Sequence, residues 1–276
     1  MKHLFFLFAV LSITLSTNAR EPDSIALRHR TWEVREVKKG IVWKKAHFDD
    51  LFGGKQIINL IEIDLKRHHK KLKLAGVSEG TKLTSSFARE NEAIIAINGG
   101  FFNTRTGGGH DFIKIEGNVV NVSTNNSARA DAYLAFDKKS IQIIPQTADS
   151  IRETRIANVL LAGPLLLHGG EITEIGKNRF NDNKHPRTAI ALRGHTLIFI
   201  TVDGRSPMAH GVSLFELSQL LKWYACDAAM NMDGGGSSAM YVQGQPYNGI
   251  VNYPSDNKQF DHLGERPVAN IIYIKN

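Results

Sequence analysis

Three apolar segments constrain the fold of this chain more than any other feature of its sequence. Ala93–Asn98, Thr196–Val202 and Asp227–Met232 lack the polar alternation of a half-exposed strand, so we predict that each is a buried strand. An amide or a carboxylate stands at each strand end, and glycine follows it. Because glycine lets the backbone turn sharply and lets a ligand approach closely, these strand ends are candidates for a functional site.

The rest of the pattern predicts many more strands. Segments rich in β-branched and aromatic residues fill the first part of the chain: Thr31–Lys38, Ile41–Phe48, Ile57–Leu65 and Lys71–Val77. Hairpin turns are predicted at three places: Glu116–Asn118, Asp137–Lys139 and Arg193–Gly194. Ala239–Val242 and Val268–Ile274 are the last predicted strands.

Helices are few in this pattern. Thr84, Ser85 and Ser86 offer N-cap hydroxyls for a short helix that continues to Asn91. Ser213–Tyr224 is the best predicted helix, because it opens with an S-x-x-E capping box and carries leucines on one face. Many strands with few helices favour the α+β class, and we predict a single domain with a mixed β-sheet core and a few helices.

The first residues are typical of a secretory signal peptide. A basic residue, Lys2, precedes the apolar run Leu4–Leu15, and small residues stand at Thr17 and Ala19. The run is shorter than the roughly 20 residues of a membrane span. We therefore predict a signal peptide at 1–19, no stable membrane anchor, and export to the periplasm or the outside of a bacterial cell. A β-rich N-terminal segment, 20–82, is expected to pack on a main domain, 83–276.

Charge and cysteine content exclude several classes of function. The 34 Lys and Arg residues outnumber the 27 Asp and Glu residues, which gives a net charge of +7 and favours anionic partners. The densest basic run, Lys66–Lys71, is interpreted as a solvated turn. No basic stripe is interleaved with aromatic residues, so nucleic acid is not an expected partner. The single cysteine, Cys226, excludes an intramolecular disulfide and is predicted to be a core residue.

The strand ends carry the candidate chemistry. Asn98, Asp203 and Asp233 are the polar residues at the three ends, and the last is followed by Gly234–Gly236, Ser237 and Ser238. One such end is most simply a turn. A turn needs one glycine rather than three, however, and consecutive backbone N–H groups can form a nest that binds an anion. We therefore predict that Asp233–Ser238 is functional.

Three arginines lie in compact polar motifs near these loops. Arg187, Arg205 and Arg266 have the planar guanidinium that suits bidentate contact with phosphate, although each could equally form a surface ion pair. The chain contains neither a P-loop motif nor the G-x-S-x-G elbow of α/β-hydrolases, and it lacks H-E-x-x-H. His110 and His185 are isolated and are interpreted as structural or solvated.

These residues together resemble the phosphodiester glycosidase family. The matching motifs follow the family's order over roughly residues 90–275: AINGGFF at 96–102, GPL at 163–165, HPRTA at 185–189, VDGR at 202–205, NMDGGGSS at 231–238, NYPSD at 252–256 and GERPVAN at 264–270. The resemblance implies that 83–276 is a phosphodiester glycosidase domain. The front of the chain carries no matching motif, and the cysteine-bridged extensions of the animal members are absent.

The resemblance also implies a reaction, the hydrolysis of a sugar-1-phosphodiester at the glycosidic C–O bond. Asp233 is the first choice for the carboxylate at the anomeric carbon, with Asp203 and Glu265 as candidates for its catalytic partner. Asn98 is expected to orient the substrate. The predicted contacts to substrate or phosphate are Asn98, Gly99, Gly100, Arg187, Arg205, Gly234, Gly235, Gly236, Ser237, Ser238 and Arg266. No cofactor is required, although a divalent cation could bind Asp203 and Asp233.

Two alternatives remain open from the sequence. The same pocket could bind an envelope glycopolymer without cleaving it, or it could hydrolyse another cell-wall phosphodiester. The expected partner is in each case a sugar phosphodiester or an envelope glycopolymer. Both Asp203 and Asp233 are present, which favours catalysis.

Overall fold

A computed structural model describes residues 22–122, 129–146 and 155–276, and the predicted signal peptide lies outside these ranges. The strands of the described residues are β1 Glu33–Lys38, β2 Ile41–Phe48, β3 Gln56–Asp64, β4 Leu72–Gly76, β5 Ala93–Asn98, β6 Ile113–Ile115, β7 Asn118–Asn121, β8 Ala132–Phe136, β9 Ile141–Pro145, β10 Asn158–Ala162, β11 Leu165–His168, β12 Glu171–Ile172, β13 Arg187–Arg193, β14 Thr196–Val202, β15 Ala228–Asn231, β16 Met240–Val242 and β17 Asn270–Lys275. The helices are α1 Asp23–His29, α2 Leu65–His68, α3 Thr84–Glu90, α4 Arg179–Asp182 and α5 Leu214–Trp223.

The strands form three sheets. The large sheet has the order β1-β2-β3-β14-β13-β15-β11-β12, the second β7-β6-β10-β8-β9 and the third β16-β5-β17-β4. The α+β class predicted from the sequence is confirmed, with strands in the majority. Every pairing between these strands is antiparallel, whereas the sequence predicted a mixed core. Short turns join several of the neighbouring strands, which antiparallel pairing allows and parallel pairing does not.

The sheets stack in layers around the main core. One face of the large sheet packs against both smaller sheets through residues such as Ile61, Phe199, Ile97 and Leu134. Its other face is covered by α5 and α1, and Cys226 is buried in that cluster as predicted. Helix α3 covers the outer face of the third sheet. The large sheet is therefore covered on both sides, which explains why β14 is apolar without alternation.

The N-terminal segment shares its sheets with the rest of the chain. β3 pairs with β14 along seven residues, from Ile58 opposite Val202 to Asp64 opposite Thr196. β4 pairs with β17 near the end of the chain. Residues 33–76 therefore complete the sheets whose strand ends carry the candidate site.

Two local predictions need correction. Helix α3 has Leu83 as its N-cap, and the side chain of that residue does not cap the helix. The hydroxyls of Thr84 and Ser85 lie inside the helix, because Glu265 of another loop takes the capping role by accepting from the Ser85 N–H. The capping box of α5 is confirmed, with Ser213 and Glu216 bonded reciprocally.

The basic run at 66–71 is more ordered than a solvated turn. It forms α2 and a 3₁₀ turn at His69–Lys71, and the Asp64 carboxylate caps it by accepting from the Lys66 N–H. His68 is buried and contacts the Lys39 carbonyl oxygen. In the part of the chain that the structure describes, no helix is long and apolar enough to cross a membrane.

Candidate active site

The ends of β5, β14 and β15, which the sequence marked as candidates for a functional site, come together at one end of the stacked sheets. Asn98 joins them, because its Nδ2 donates to the Asp233 carbonyl oxygen at 2.6 Å. Its Oδ1 accepts from the Thr188 hydroxyl at 2.8 Å and from the Ala239 N–H at 3.1 Å. Asn98 is fully buried, so its amide fixes the loop instead of facing a substrate. This position does not fit the predicted role in orienting substrate.

Other asparagines of the motifs act in the same way. Asn252 donates to the Asp203 Oδ1 at 3.1 Å and to the Ser238 carbonyl oxygen at 3.0 Å. Asn270 accepts from the Gly100 N–H at 2.7 Å through its Oδ1. Both side chains are buried, and both tie one loop to another. A buried amide can donate and accept at once, which suits it to satisfying backbone groups where strands end.

Gly99 and Gly100 serve this packing. A Cβ on Gly99 would lie 2.0 Å from the Asn270 Oδ1, and one on Gly100 would lie 3.3 Å from Leu160. Gly99 therefore allows β17 to approach the end of β5 closely, and Gly100 does the same for β10. Neither lines a cleft beside the site, so direct substrate contact through them does not fit their position.

Asp233 lies in a cleft of about 250 Å³, which we call the first cleft. Its lining residues are Phe101, Phe102, Thr104, His110, Asp111, Arg129, Asp233 and Arg266. Burial raises the pKa of the Asp233 carboxyl to about 6, although the Ser237 hydroxyl and the positive charges of Arg266 and Arg129 act to lower it. The cleft therefore holds a carboxylate that is ionised at neutral pH and lies beside two cations.

A second cleft of about 400 Å³ meets the first at Arg266. Its lining residues are Gly204, Arg205, Ser206, Pro207, Tyr253, Ser255, Asp256, Lys258, Gln259, Phe260 and Arg266. Tyr253 and Phe260 stack with their ring centroids 4.2 Å apart. Arg266 is held by Asp256, whose Oδ1 accepts from its Nε at 2.7 Å and its Nη2 at 2.5 Å. The second cleft combines stacked aromatic rings with two guanidinium groups.

The glycine loop is not an open anion nest. The Gly234 N–H donates to the Asp233 carboxylate at 3.0 Å, and the Gly235 N–H donates to the Pro186 carbonyl oxygen at 2.8 Å. The N–H groups of Ser237 and Ser238 close turns within the loop, so most of the predicted anion donors are occupied.

These glycines instead give space to the arginines. A Cβ on Gly235 would lie 2.8 Å from the Arg205 Nη2, and one on Gly236 would lie 2.5 Å from the Arg266 Nη2. Gly235 also has a φ of +63°, which favours glycine. The loop thus lets two guanidinium groups lie against its backbone.

Arg187 does not reach either cleft. It is buried, and its guanidinium donates to the carbonyl oxygens of Val212, Phe180 and Asn183 at 2.7–3.0 Å. Burial lowers its pKa to about 10, and the positive charge of Arg205 adds to that effect. The sequence grouped Arg187 with the phosphate-binding arginines, but the structure shows it holding neighbouring loops in place.

Glu265 is also engaged elsewhere. Its carboxylate accepts from the Ser85 N–H at 2.9 Å and from the Ser85 hydroxyl at 2.6 Å, and it lines neither cleft. Burial raises its pKa. Its position suits anchoring of α3 better than partnership with Asp233.

Asp203 is fully buried behind the second cleft, next to Gly204 and Tyr253 in its lining. Its Oδ1 accepts from the Asn252 Nδ2 at 3.1 Å and the Tyr253 N–H at 2.9 Å, while its Oδ2 has no partner in the described residues. Burial raises its pKa to about 6. Asp203 therefore supports the second cleft from behind.

This burial predicts a pH-dependent effect of Asp203→Asn on stability. The folded-state pKa is raised, so above pH 6 the wild-type chain carries a buried charge that the unfolded state solvates, and its stability falls as pH rises from about 4 to about 6. Asparagine keeps the Oδ1 acceptor and removes the charge. We compare the free energy of unfolding of the variant with that of wild type at each pH. From pH 4 to pH 8 we expect this difference to shift by about 2–3 kcal/mol in favour of the variant.

Urea unfolding at the two pH values measures this gain. Asp182→Asn is the control, because Asp182 is exposed. A difference between Asp203→Asn and wild type that does not change with pH would show that Asp203 is not a destabilising buried charge.

Several site residues were missed by sequence reasoning. Arg129 has no motif around it, yet its guanidinium lies over the Phe101 ring at 5.5 Å and the Phe180 ring at 5.3 Å. His110, interpreted as isolated, lines the first cleft and lies 3.5 Å from the Asp111 carboxylate. The available signal was the His110-Asp111 pair that directly follows the triple glycine at 107–109. In the described ranges no cluster of three His, Cys, Asp or Glu side chains could hold a metal ion, and a cation on Asp203 and Asp233 stays a prediction.

Comparisons with known proteins match the part of the chain that carries the motifs. The phosphodiester glycosidase family profile matches residues 91–275. N-acetylglucosamine-1-phosphodiester α-N-acetylglucosaminidase of Bos taurus is 27% identical over 68% of this chain and 38% of the bovine protein. The SPbeta prophage-derived uncharacterized protein YomE of Bacillus subtilis is 38% identical over 27% of this chain and 14% of its own length. The chain thus spans less than half the length of these relatives.

A solved structure shares the fold. The catalytic domain of zebrafish N-acetylglucosamine-1-phosphodiester α-N-acetylglucosaminidase, auto-inhibited by its pro-peptide, superposes with a TM-score of 0.69 at 21% identity. The match covers 89% of this chain and 83% of the zebrafish chain. A match of this extent is longer than the part of the chain that the family profile matches.

Proposed function

This chain belongs to the phosphodiester glycosidase family, and on that premise we propose that it hydrolyses the glycosidic bond of a sugar-1-phosphodiester. The products are a free sugar and a phosphomonoester. One observation carries the proposal: Asp233 lines only the first cleft, Arg205 lines only the second, and Arg266 borders both. A negative group for an anomeric centre and positive groups for a phosphodiester are thus side by side.

The two clefts suggest how the substrate binds. The phosphodiester lies on Arg266, the sugar enters the first cleft with its C1 toward Asp233, and the remaining group enters the second cleft beside Arg205. Phe260 offers an aromatic ring to that group, and it is backed by Tyr253, which stacks on both Phe260 and His262. Guanidinium groups bind phosphate oxygens with directed, charge-assisted hydrogen bonds, so Arg266 and Arg205 fix the scissile bond between the clefts.

The chemistry follows from these positions. As the C1–O bond breaks, its electron pair leaves with the phosphate, and positive charge develops at the sugar ring. The Asp233 carboxylate stabilises that charge, and the arginines stabilise the charge on the leaving phosphate. Asp111 lines the same cleft with His110 beside it, and we assign this pair to accept a proton from the attacking water, whose hydroxyl then bonds to C1 of the product sugar.

N-acetylglucosamine-1-phosphodiesters are the substrates to test first. The bovine relative is named for this substrate class, but the chain spans 38% of that protein and its own sugar is a proposal. Export to the periplasm or beyond is likewise proposed, and it rests on the signal peptide predicted at residues 1–19.

A labelled-water experiment tests the reaction. The purified protein is incubated in H₂¹⁸O with N-acetylglucosamine-1-phosphodiesters that differ in the second group. Glycosidic cleavage places the label in the free sugar, and we expect mass spectrometry to find it there. Label in the phosphomonoester would instead indicate P–O cleavage, and tight binding without either product would favour a glycopolymer-binding module.

Gly236→Ala tests whether the glycine loop positions Arg266. The added methyl group would lie 2.5 Å from both the Arg266 Nη2 and the Asp256 Oδ1, so the guanidinium must move. We expect kcat/KM to fall by about 10-fold, part of the value of a charge-assisted contact. Gly176→Ala is the matched control, because nothing lies within 4 Å of its Cβ position. Equal kcat/KM in the two variants would argue against this positioning role.

A further inference from the structure

A basic groove lies at the end of the large sheet opposite the candidate active site. Three turns enclose about 720 Å³ there: residues 65–70 after β3, the β8–β9 turn at 138–141 and the β13–β14 turn at 194–195. β14 starts beside the groove at Thr196 and ends at Val202 beside the candidate site. At about 3.4 Å per residue, the two sites are roughly 20 Å apart.

The groove carries five permanent positive charges. Lys66, Arg67 and Lys70 come from one wall, and Lys138 and Lys139 come from the other, while no Asp or Glu lines it. Arg67 pairs with Asp64 at 3.3 Å. Among the described residues the four lysines form no ion pair. Lys138 acts to lower the pKa of Glu116 and Lys139 that of Asp137, so these two charges are partly offset, and the cluster as a whole has an excess of positive charge for an anion.

The walls are held by groups other than the lysine side chains. The Leu65 N–H donates to the His195 carbonyl oxygen at 2.9 Å, which joins two of the turns. The Asp137 carboxylate accepts from the N–H groups of Lys139 and Ser140 at 2.7 and 2.9 Å, which fixes the third. The positive charges are thus presented by a backbone that does not need them for its own stability.

We propose that this groove binds the phosphates of a phosphodiester-linked polyanionic chain. Its volume suits a ligand site of several phosphate-bearing units. Charges on two facing walls match a chain lying between them, whereas a flat bilayer would reach only the rim. The sequence showed only the basic run at 66–71. The fold brings Lys138 and Lys139 beside that run, from a hairpin that lies far away in the sequence. The inference does not depend on the proposed function, although a bound polymer would be retained near the catalytic clefts.

Binding of short-chain inorganic polyphosphate, measured by calorimetry at several salt concentrations, tests the groove. Lys138→Gln/Lys139→Gln and Lys66→Gln/Lys70→Gln each remove two charges from one wall. The control, Arg28→Gln/Lys177→Gln, removes two exposed charges outside the groove. We expect each groove variant to lose about 10-fold in affinity at 0.15 M salt and the slope of log K against log salt to shrink by about 1.4, with the control within about twofold of wild type.

Three results would overturn the inference. Equal losses in the control and the groove variants would show a general effect of net charge. Loss of polyphosphate binding in Arg266→Ala but not in the groove variants would place the polyanion in the catalytic clefts. Groove-dependent binding of phosphatidylglycerol vesicles without binding of polyphosphate would assign the groove to a lipid surface. Sugar release from a small phosphodiester should be normal in the groove variants, so failure of the proposed function would leave this test intact.

Discussion

Asp233→Asn is expected to lower kcat on a cleavable sugar-1-phosphodiester by about 10³-fold at pH 8 while substrate binding survives. The substitution keeps the shape of the side chain and removes its negative charge from the first cleft. That charge is needed only when positive charge develops at the sugar, so its loss affects the transition state and not the ground state. The nearby phosphodiester is an anion, so its binding should be unchanged or tighter.

The assay measures kcat and the dissociation constant of the same substrate in folded protein. Since the Asp233 pKa is raised to about 6, the wild-type kcat/KM should fall as pH drops through about 6, when the carboxylate takes up a proton. Asp182→Asn, an exposed aspartate outside both clefts, should behave as wild type. A near-normal kcat in Asp233→Asn would move the catalytic role to Asp111 or Asp203.

Much of the fold could be predicted because its strands are buried. Ile41–Phe48, Ala93–Asn98 and Thr196–Val202 have in the structure the bounds that the sequence predicted for them. Their hydrophobic content and the glycines after them are local signals. The pairing of β3 with β14 and the split into three sheets depend on contacts between distant residues, and no local pattern carries that information.

The candidate site, like the fold, could be predicted only in part. The sequence marked Asn98, Asp203 and Asp233 as candidate site residues, because each stands at the end of a buried strand and is followed by glycine. It could not tell which polar groups the protein itself would satisfy. Asn98 and Arg187 are both buried among backbone acceptors or donors, and an asparagine or arginine in such a role has the same sequence signal as one that binds substrate.

Arg129 is the opposite case, a residue of the first cleft that no sequence motif indicates. It enters the first cleft from a stretch without any motif, and its partners Phe101 and Phe180 are far away in the sequence. A lone arginine in a polar stretch is most simply a solvated surface residue. Only the fold distinguishes a cation that shares a cleft with Asp233 from the other basic residues of a chain with net charge +7.

Arg266→Ala is expected to weaken substrate binding and turnover together, by about 10- to 200-fold, the range of a charge-assisted contact of about 1.5–3 kcal/mol. Arg266 borders both clefts, so its loss removes a phosphate contact from the ground state as well as the transition state. Its positive charge also acts to lower the Asp233 pKa. The acid limb of kcat/KM should therefore move to higher pH in the variant, an effect that simple loosening of the loop would not produce.

Asp256→Asn separates phosphate binding by Arg266 from a structural role of the ion pair. It breaks the salt bridge at 2.5 Å but leaves the guanidinium in place between the clefts. If Arg266 binds the phosphodiester, removal of the competing carboxylate should leave the affinity for substrate intact or raise it. If Arg266 serves only to hold Asp256 and its loop, Asp256→Asn should reproduce the losses of Arg266→Ala. Measuring KM, kcat and the pH profile of both variants on one phosphodiester therefore decides whether the cation between the two clefts belongs to the reaction or to the loop.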